Sequence, residues 1–141
     1  MNQRDIVLAG LAPAKGVFHT PVQVQKLFFL LDKNISDAYG GPLFDFRPYN
    51  YGPFDSKVYQ VLEQLEKEGL VDIDLQYNWR IYKLTIIGQE EADRIFNGLP
   101  EVAKNFITDV SNFVRNLSFT QLVQAIYKAY PEMKENSVFQ E

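Results

Sequence analysis

Cysteine is absent from this chain of 141 residues, which excludes disulfides, thiol nucleophiles and every cysteine-ligated metal site. A single histidine, His19, leaves little imidazole from which to build a metal cluster. Long apolar runs are missing as well. The longest, Leu27 to Leu31, is five residues, against about 18 or more for a membrane-spanning helix. The opening residues show no charged n-region, apolar h-region and small-residue cleavage site, so a cytoplasmic address is expected. No phosphate-cradling glycine loop is present, since Tyr39-Gly40-Gly41-Pro42 reads as a turn, and no motif points to a cofactor. Positive charge is also scarce. Fourteen basic residues face eighteen acidic ones, for a net charge of -4 and a pI near 5.0, whereas nucleic-acid-binding domains often have a pI above about 9. Residues 1–50 carry five basic and four acidic groups, 51–100 five and nine, and 101–141 four and five. Any contact with a phosphate backbone would therefore have to be local.

What is present is the raw material of one folded domain. Hydrophobic residues make up 46% and charged residues 23%, a balance that fits a packed core and not a disordered chain. No repeat, low-complexity tract or Gly/Ser/Pro linker divides the sequence. Residues 2–12 are expected to form a helix that buries Ile6, Val7 and Leu11 and ends at Pro13. The next helix signals its own start: Thr20-Pro21-Val22-Gln23 supplies a hydroxyl cap, a proline at the first turn and a glutamine three residues after the cap. Val24, Leu27, Phe28 and Leu31 then form one amphipathic stripe. Residues 39–59 hold seven aromatics. Phe44 and Phe46 alternate with Asp45 and Arg47, which suggests a short strand before Pro48. Tyr51-Gly52-Pro53-Phe54 reads as a turn leading to Asp55, a good N-cap for a helix with Val58, Leu62 and Leu65 on one face. Gly69 and Leu70 fit the end of that helix.

A β-hairpin follows. With Tyr77 and Asn78 as a two-residue loop, Val71 faces Leu84, Ile73 faces Tyr82, and Asp72 faces Lys83 as an ion pair. Thr85 can cap a helix to about Asn97. Pro100 opens another, with Ala103, Phe106, Ile107, Val110, Phe113, Val114 and Leu117 at three- and four-residue steps. Ser118-x-x-Gln121 is a second capping box, heading a helix with Leu122, Ile126 and Tyr130 inward. The expected fold is α+β, mainly helical with a small β-hairpin. Two helices whose second member leads into a hairpin make a winged-helix-like domain, residues 1–98, and residues 99–141 are a C-terminal helical extension packed on it. A two-stranded hairpin needs that helical support to bury its face. The extension can pack back onto the first helices or pair two copies as a homodimer.

Gln25-Lys26-Leu27-Phe28-Phe29, Tyr51-Gly52-Pro53-Phe54, Val58-Tyr59 and Gly69-Leu70-Val71 together resemble the Panacea domain, also called SocA-like, and related small bacterial winged-helix proteins. Tyr82-x-Leu84-Thr85-x-x-Gly88 is similar to the wing exit of winged-helix regulators more generally. Leu122-Val123-x-x-Ile126-Tyr127-x-x-Tyr130-Pro131-Glu132, with Asn136-Ser137, resembles the C-terminal end of those bacterial relatives. The likeness covers roughly residues 20–137. It implies a bacterial or phage protein, antitoxin-like or defence-associated, that acts by binding a protein partner such as a toxin and not by catalysis.

The residues themselves allow two binding readings. In the first, Lys26, Arg47, Tyr49, Tyr51 and Lys57 form a protein-binding surface running onto the exposed side of the 55–68 helix, because exposed tyrosine and arginine are enriched at interface hot spots. In the second, Trp79, Arg80 and Lys83 of the wing contact nucleic acid, the arginine in a minor groove and the tryptophan on a base. The blander alternatives are that Lys26 is solvated on the flank of its helix, that most aromatics are core, and that Arg80 pairs with Asp74 or lies along Leu75. The helix in the recognition position carries Asp55, Lys57, Glu63, Glu66, Lys67 and Glu68, more acid than base, so it would repel phosphates. It also lacks an arginine for guanine readout. His19, beside the Thr20 cap, is expected to fix the helix entry. Paired acids such as Glu90-Glu91 and Asp72/Asp74 fall on expected solvent faces and make no case for catalysis.

Overall fold

The computed structural model describes residues 1–76 and 78–140. Helix α1 (Gln3–Leu11) is the central rod, with Ile6 through Leu11 all buried. Asn2 caps it in a reciprocal box with Asp5, and a 3-10 turn over Ala12–Ala14 carries the chain past Pro13. Helix α2 (Pro21–Ile35) starts as its sequence dictates: the Thr20 hydroxyl accepts from the Gln23 amide, and the Gln23 side chain accepts from the Thr20 amide. Its burial exceeds one stripe. Besides Val24, Leu27, Phe28 and Leu31, the side chains of Gln25, Lys26, Phe29 and Asp32 are buried, because α2 is covered on several sides. Asp32 accepts hydrogen bonds from the Tyr39 hydroxyl at 2.6 Å and the Phe44 amide at 2.9 Å. That carboxylate shapes the loop that follows and holds the Tyr39 phenol protonated, its pKa raised by burial and by Asp32.

The loop differs from expectation. Phe44 and Phe46 lie outside any strand, half-buried, with ring contacts to Phe28 and Phe29. The strand is β1 (Arg47–Tyr49), and the segment expected to be a turn is β2 (Gly52–Phe54), antiparallel to it with Pro48 opposite Pro53. Two prolines fit this ladder because it is a two-stranded edge pair, where an unused amide position costs little.

Helix α3 (Ser56–Lys67) is capped by Asp55 and buries Val58, Leu62 and Leu65. It ends in a Schellman motif: the Leu70 amide donates to the Leu65 carbonyl and the Gly69 amide to the Glu66 carbonyl. The long hairpin, β3 (Val71–Gln76) and β4 (Trp79–Leu84), has the expected register, including Asp72 opposite Lys83. Asp72 and Lys83 nonetheless form no ion pair among the described residues. Tyr77 of the expected two-residue loop lies outside those residues; Asn78 has the positive φ, 72°, foreseen for it. Backbone hydrogen bonds between His19 and Tyr82, 2.8 and 2.9 Å, tie β4 to the entry of α2.

Helix α4 (Ile86–Asn97), capped by Thr85, packs on α1. Gly88 is required at this junction, since a Cβ there would run into the backbone carbonyl of Leu70. Helix α5 (Glu101–Asn116) lies along α2 and buries Ala103, Ile107, Val110 and Val114. Most of the apolar stripe considered for a homodimer therefore packs within the chain, while Phe113 stays exposed. Helix α6 (Phe119–Ala129), headed by the Ser118–Gln121 capping box, reaches β2. The fold is thus mainly helical with two small antiparallel strand pairs. Among the described residues, no helix is long and apolar enough to cross a membrane.

Candidate functional site

Both hairpins converge on the first turns of α2. Gln25 fixes the short one. Its amide nitrogen donates to the Asp55 carbonyl and its oxygen accepts from the Asp55 amide, both at 3.0 Å, so a buried side chain does the work of a neighbouring strand. Tyr59 stacks on Tyr82 at 6.0 Å between ring centres and links α3 to the long hairpin. Gly52, at φ 105°, lets β2 pass close over α2. A Cβ there would sit 3.3 Å from the Tyr127 ring and 3.4 Å from Lys26 Nζ.

Lys26 is only 2% exposed. Its ammonium, which carries three donors, makes one long hydrogen bond among the described residues, 3.4 Å to the Pro53 carbonyl. Burial pushes its pKa down to about 7, and no neighbouring carboxylate counteracts that. The solvated lysine on a helix flank is thereby corrected: the aromatic hairpin folds over the position. Lys26 instead forms part of the wall of a cavity of 270 Å³, with Tyr49, Tyr51 and Tyr59 among its neighbours.

Beside this cavity runs a mainly apolar groove of 490 Å³ lined by Thr20, Pro21, Val22, Tyr51, Trp79 and Phe119. Its aromatic walls are open to solvent: Trp79 is 51% exposed, Phe119 46% and Tyr51 41%. Tyr51 and Phe119 meet edge to face at 5.1 Å. Pro21, Val22 and Tyr51 belong to both cavity and groove, so the two adjoin across a shared wall.

The structure thus brings together Lys26, Tyr49 and Tyr51 of the expected protein-binding set, and adds Trp79 from the alternative set. The others lie apart. Arg47 is turned onto Asp45 in a bidentate pair on the surface. Lys57 stands on the exposed first turn of α3, with its ammonium on Gln60. Arg80 pairs with Glu63 of α3 at 3.0 Å, not with Asp74 as considered from the sequence. Lys83 is half-buried. Of the wing cations, then, the outermost is already matched by an acid of the helix that would have to face DNA. Phe119 and Gln25 had no sequence signal as site residues, although polar Gln25 and Lys26 beside the apolar run 27–31 could have marked α2 as buried nearly all round.

His19 is the other buried ionisable group of this region. It is wholly inaccessible, with both ring nitrogens unpartnered among the described residues, and burial, with the Arg115 charge adding to it, lowers its pKa to about 4. A neutral core imidazole follows, while the backbone of His19 bonds to Tyr82 at the entry of α2.

The family described as antitoxin SocA-like, Panacea domain, matches residues 24–131, well over half of the chain. The chain belongs to that family. The Panacea match begins on α2 and ends at Pro131 after α6, and so spans Lys26, both hairpins and Phe119, with Pro21 and Val22 of the cavity wall just before it. No curated protein and no solved structure matches the chain. Membership supports an antitoxin-type role.

Proposed function

We propose that this Panacea domain works as an antitoxin by binding a toxin protein in the aromatic groove between the two hairpins and α6. The observation that carries this reading is the groove itself: Tyr51, Trp79 and Phe119, contributed by three separate elements, stand exposed around one apolar recess. Aromatic side chains present large contact area at small entropic cost and are typical anchors of protein interfaces. In this reading residues 1–98 are a winged-helix-like frame, residues 99–141 brace it, and the wing supplies a wall of the groove in place of a nucleic-acid contact. The acidic surface of α3 and the Arg80–Glu63 pair both favour a polypeptide over a duplex.

The test is co-expression with the product of the neighbouring gene, once that product has been shown to arrest growth when expressed alone. Wild-type protein is expected to restore growth and to co-purify with that protein. Trp79→Ala combined with Phe119→Ala should abolish rescue and weaken binding at least a hundredfold while the circular dichroism spectrum stays native. Rescue by the double variant would refute the groove. Retardation of mixed-sequence DNA at low salt, lost in Arg80→Ala, would support a nucleic-acid binder instead.

A further inference from the structure

A buried lysine with one long hydrogen bond and no counter-ion is an expensive feature for a protein interior. Desolvating an ammonium costs several kcal/mol unless an opposite charge or several acceptors compensate. Lys26 has neither among the described residues: the Pro53 carbonyl is its one acceptor, and burial alone governs its titration. A methionine or leucine would fill the same space without that cost. The side chain also does not end in solid core. It reaches the 270 Å³ cavity beneath Tyr49 and Tyr51, both of which are exposed at the surface. The second buried polar side chain of the cavity, Gln25, has its amide committed to the Asp55 backbone. Among the described residues, Lys26 is therefore the cavity's one cation, with donors left uncommitted. One cation within apolar and aromatic walls suits a single negative charge on a small planar group. A phosphate, with more charge and more oxygens, would need a cluster of donors or an arginine fork.

We propose that this cavity receives an acidic side chain of the protein partner, an aspartate or glutamate that enters beside Tyr49 and Tyr51 and pairs with the Lys26 ammonium. The proposal rests on the protein-binding reading above and adds the chemistry of the anchoring contact. The cavity adjoins the groove, with Pro21, Val22 and Tyr51 lining both, which favours a polypeptide as the source of the carboxylate, since a chain lying in the groove passes within side-chain reach of the cavity. The same arrangement gives discrimination. A partner with a neutral residue at that point would leave the ammonium buried and unpaired, the kind of penalty by which interfaces reject wrong partners.

Two measurements test it separately. In the first, the isolated protein labelled with ¹⁵N is titrated with propionate, the side chain of glutamate, and with the neutral isostere propionamide. Propionate is expected to shift the Gly52 amide and the Lys26 side-chain signals saturably, while propionamide leaves them in place. Equal response to both, or to neither, overturns the proposal without touching the groove. In the second, Lys26→Met is expected to melt at a higher temperature than wild type yet bind the toxin at least tenfold more weakly. One acid-to-amide substitution in the toxin should cost the same tenfold, and should cost nothing further against Lys26→Met. Unchanged affinity in Lys26→Met defeats this proposal and leaves the groove standing. Lost affinity there together with full binding by the Trp79/Phe119 double variant keeps the cavity and removes the groove.

Discussion

The two hairpins are built from similar parts and put to different uses. Each lies against the chain segment that begins at His19, and each covers one buried ionisable residue of it. The long hairpin pairs its β4 backbone with His19 and seals the imidazole completely. The short hairpin passes over Lys26 through Gly52 and leaves a cavity beside the ammonium. A sealed polar group with no partner is a cost borne for packing, here as a neutral ring. An equally buried group beside an opening is one that the proposed partner carboxylate would reach. Burial alone does not separate structure from function in this protein; the adjoining space does.

That contrast can be broken in several ways. The largest effect is expected at the base of the long hairpin, where Gly88→Ala should destabilise the protein by more than about 4 kcal/mol or prevent folding, because backbone must move to admit a methyl group. A mild change in urea midpoint would mean that the α4–Leu70 contact is looser than described.

The His19 side should be acid-sensitive. The imidazole has a folded pKa near 4 against an ordinary 6.5, so the unfolded chain binds the extra proton. Stability is then complete above about pH 6.5 and falls as the pH drops toward 4, by about 3 kcal/mol over that window. His19→Leu should remove this slope. An identical pH profile in the variant would show that the imidazole is not sealed.

The Lys26 side should respond with the same sign but in a more alkaline window. Its folded pKa lies near 7 and its ordinary value at 10.5, so the unfolded chain again binds more protons, and stability rises between about pH 7 and 10.5. Lys26→Met should be about 1–4 kcal/mol more stable at neutral pH, with the advantage shrinking as the pH increases. The comparison belongs below pH 10, where the Tyr59 phenol, pushed up to about 12, stays protonated. A destabilised variant would place Lys26 among structural residues.

The smallest effect is expected at the wing. Arg80→Ala breaks an exposed pair with Glu63, a class of contact with little net value, so the melting temperature should not move measurably. A pronounced loss would give that ion pair a structural role the present geometry does not.

Local signals were legible in the sequence wherever the physics is local. The Thr20–Gln23 and Ser118–Gln121 capping boxes, the Asp55 and Thr85 caps, the Gly69–Leu70 helix end and the register of the long hairpin depend on residues close in the chain. The short hairpin was misplaced because its prolines and glycine read as a turn. Only docking on α2, with Gln25 holding the Asp55 backbone, gives that segment a reason to pair. The same docking turned Lys26 from a surface residue into a buried one. It also joined Tyr51, Trp79 and Phe119, which are 28 and 40 residues apart along the chain.

By itself the sequence determined the helices, their caps, the long hairpin and the likeness to an antitoxin-like family. Each of these follows from short-range periodicity, turn chemistry or residue order. Tertiary structure alone decided which polar groups lose water and which aromatics keep it, because solvation depends on what distant segments cover. For this protein that decision placed a lysine under a hairpin and three rings around a groove.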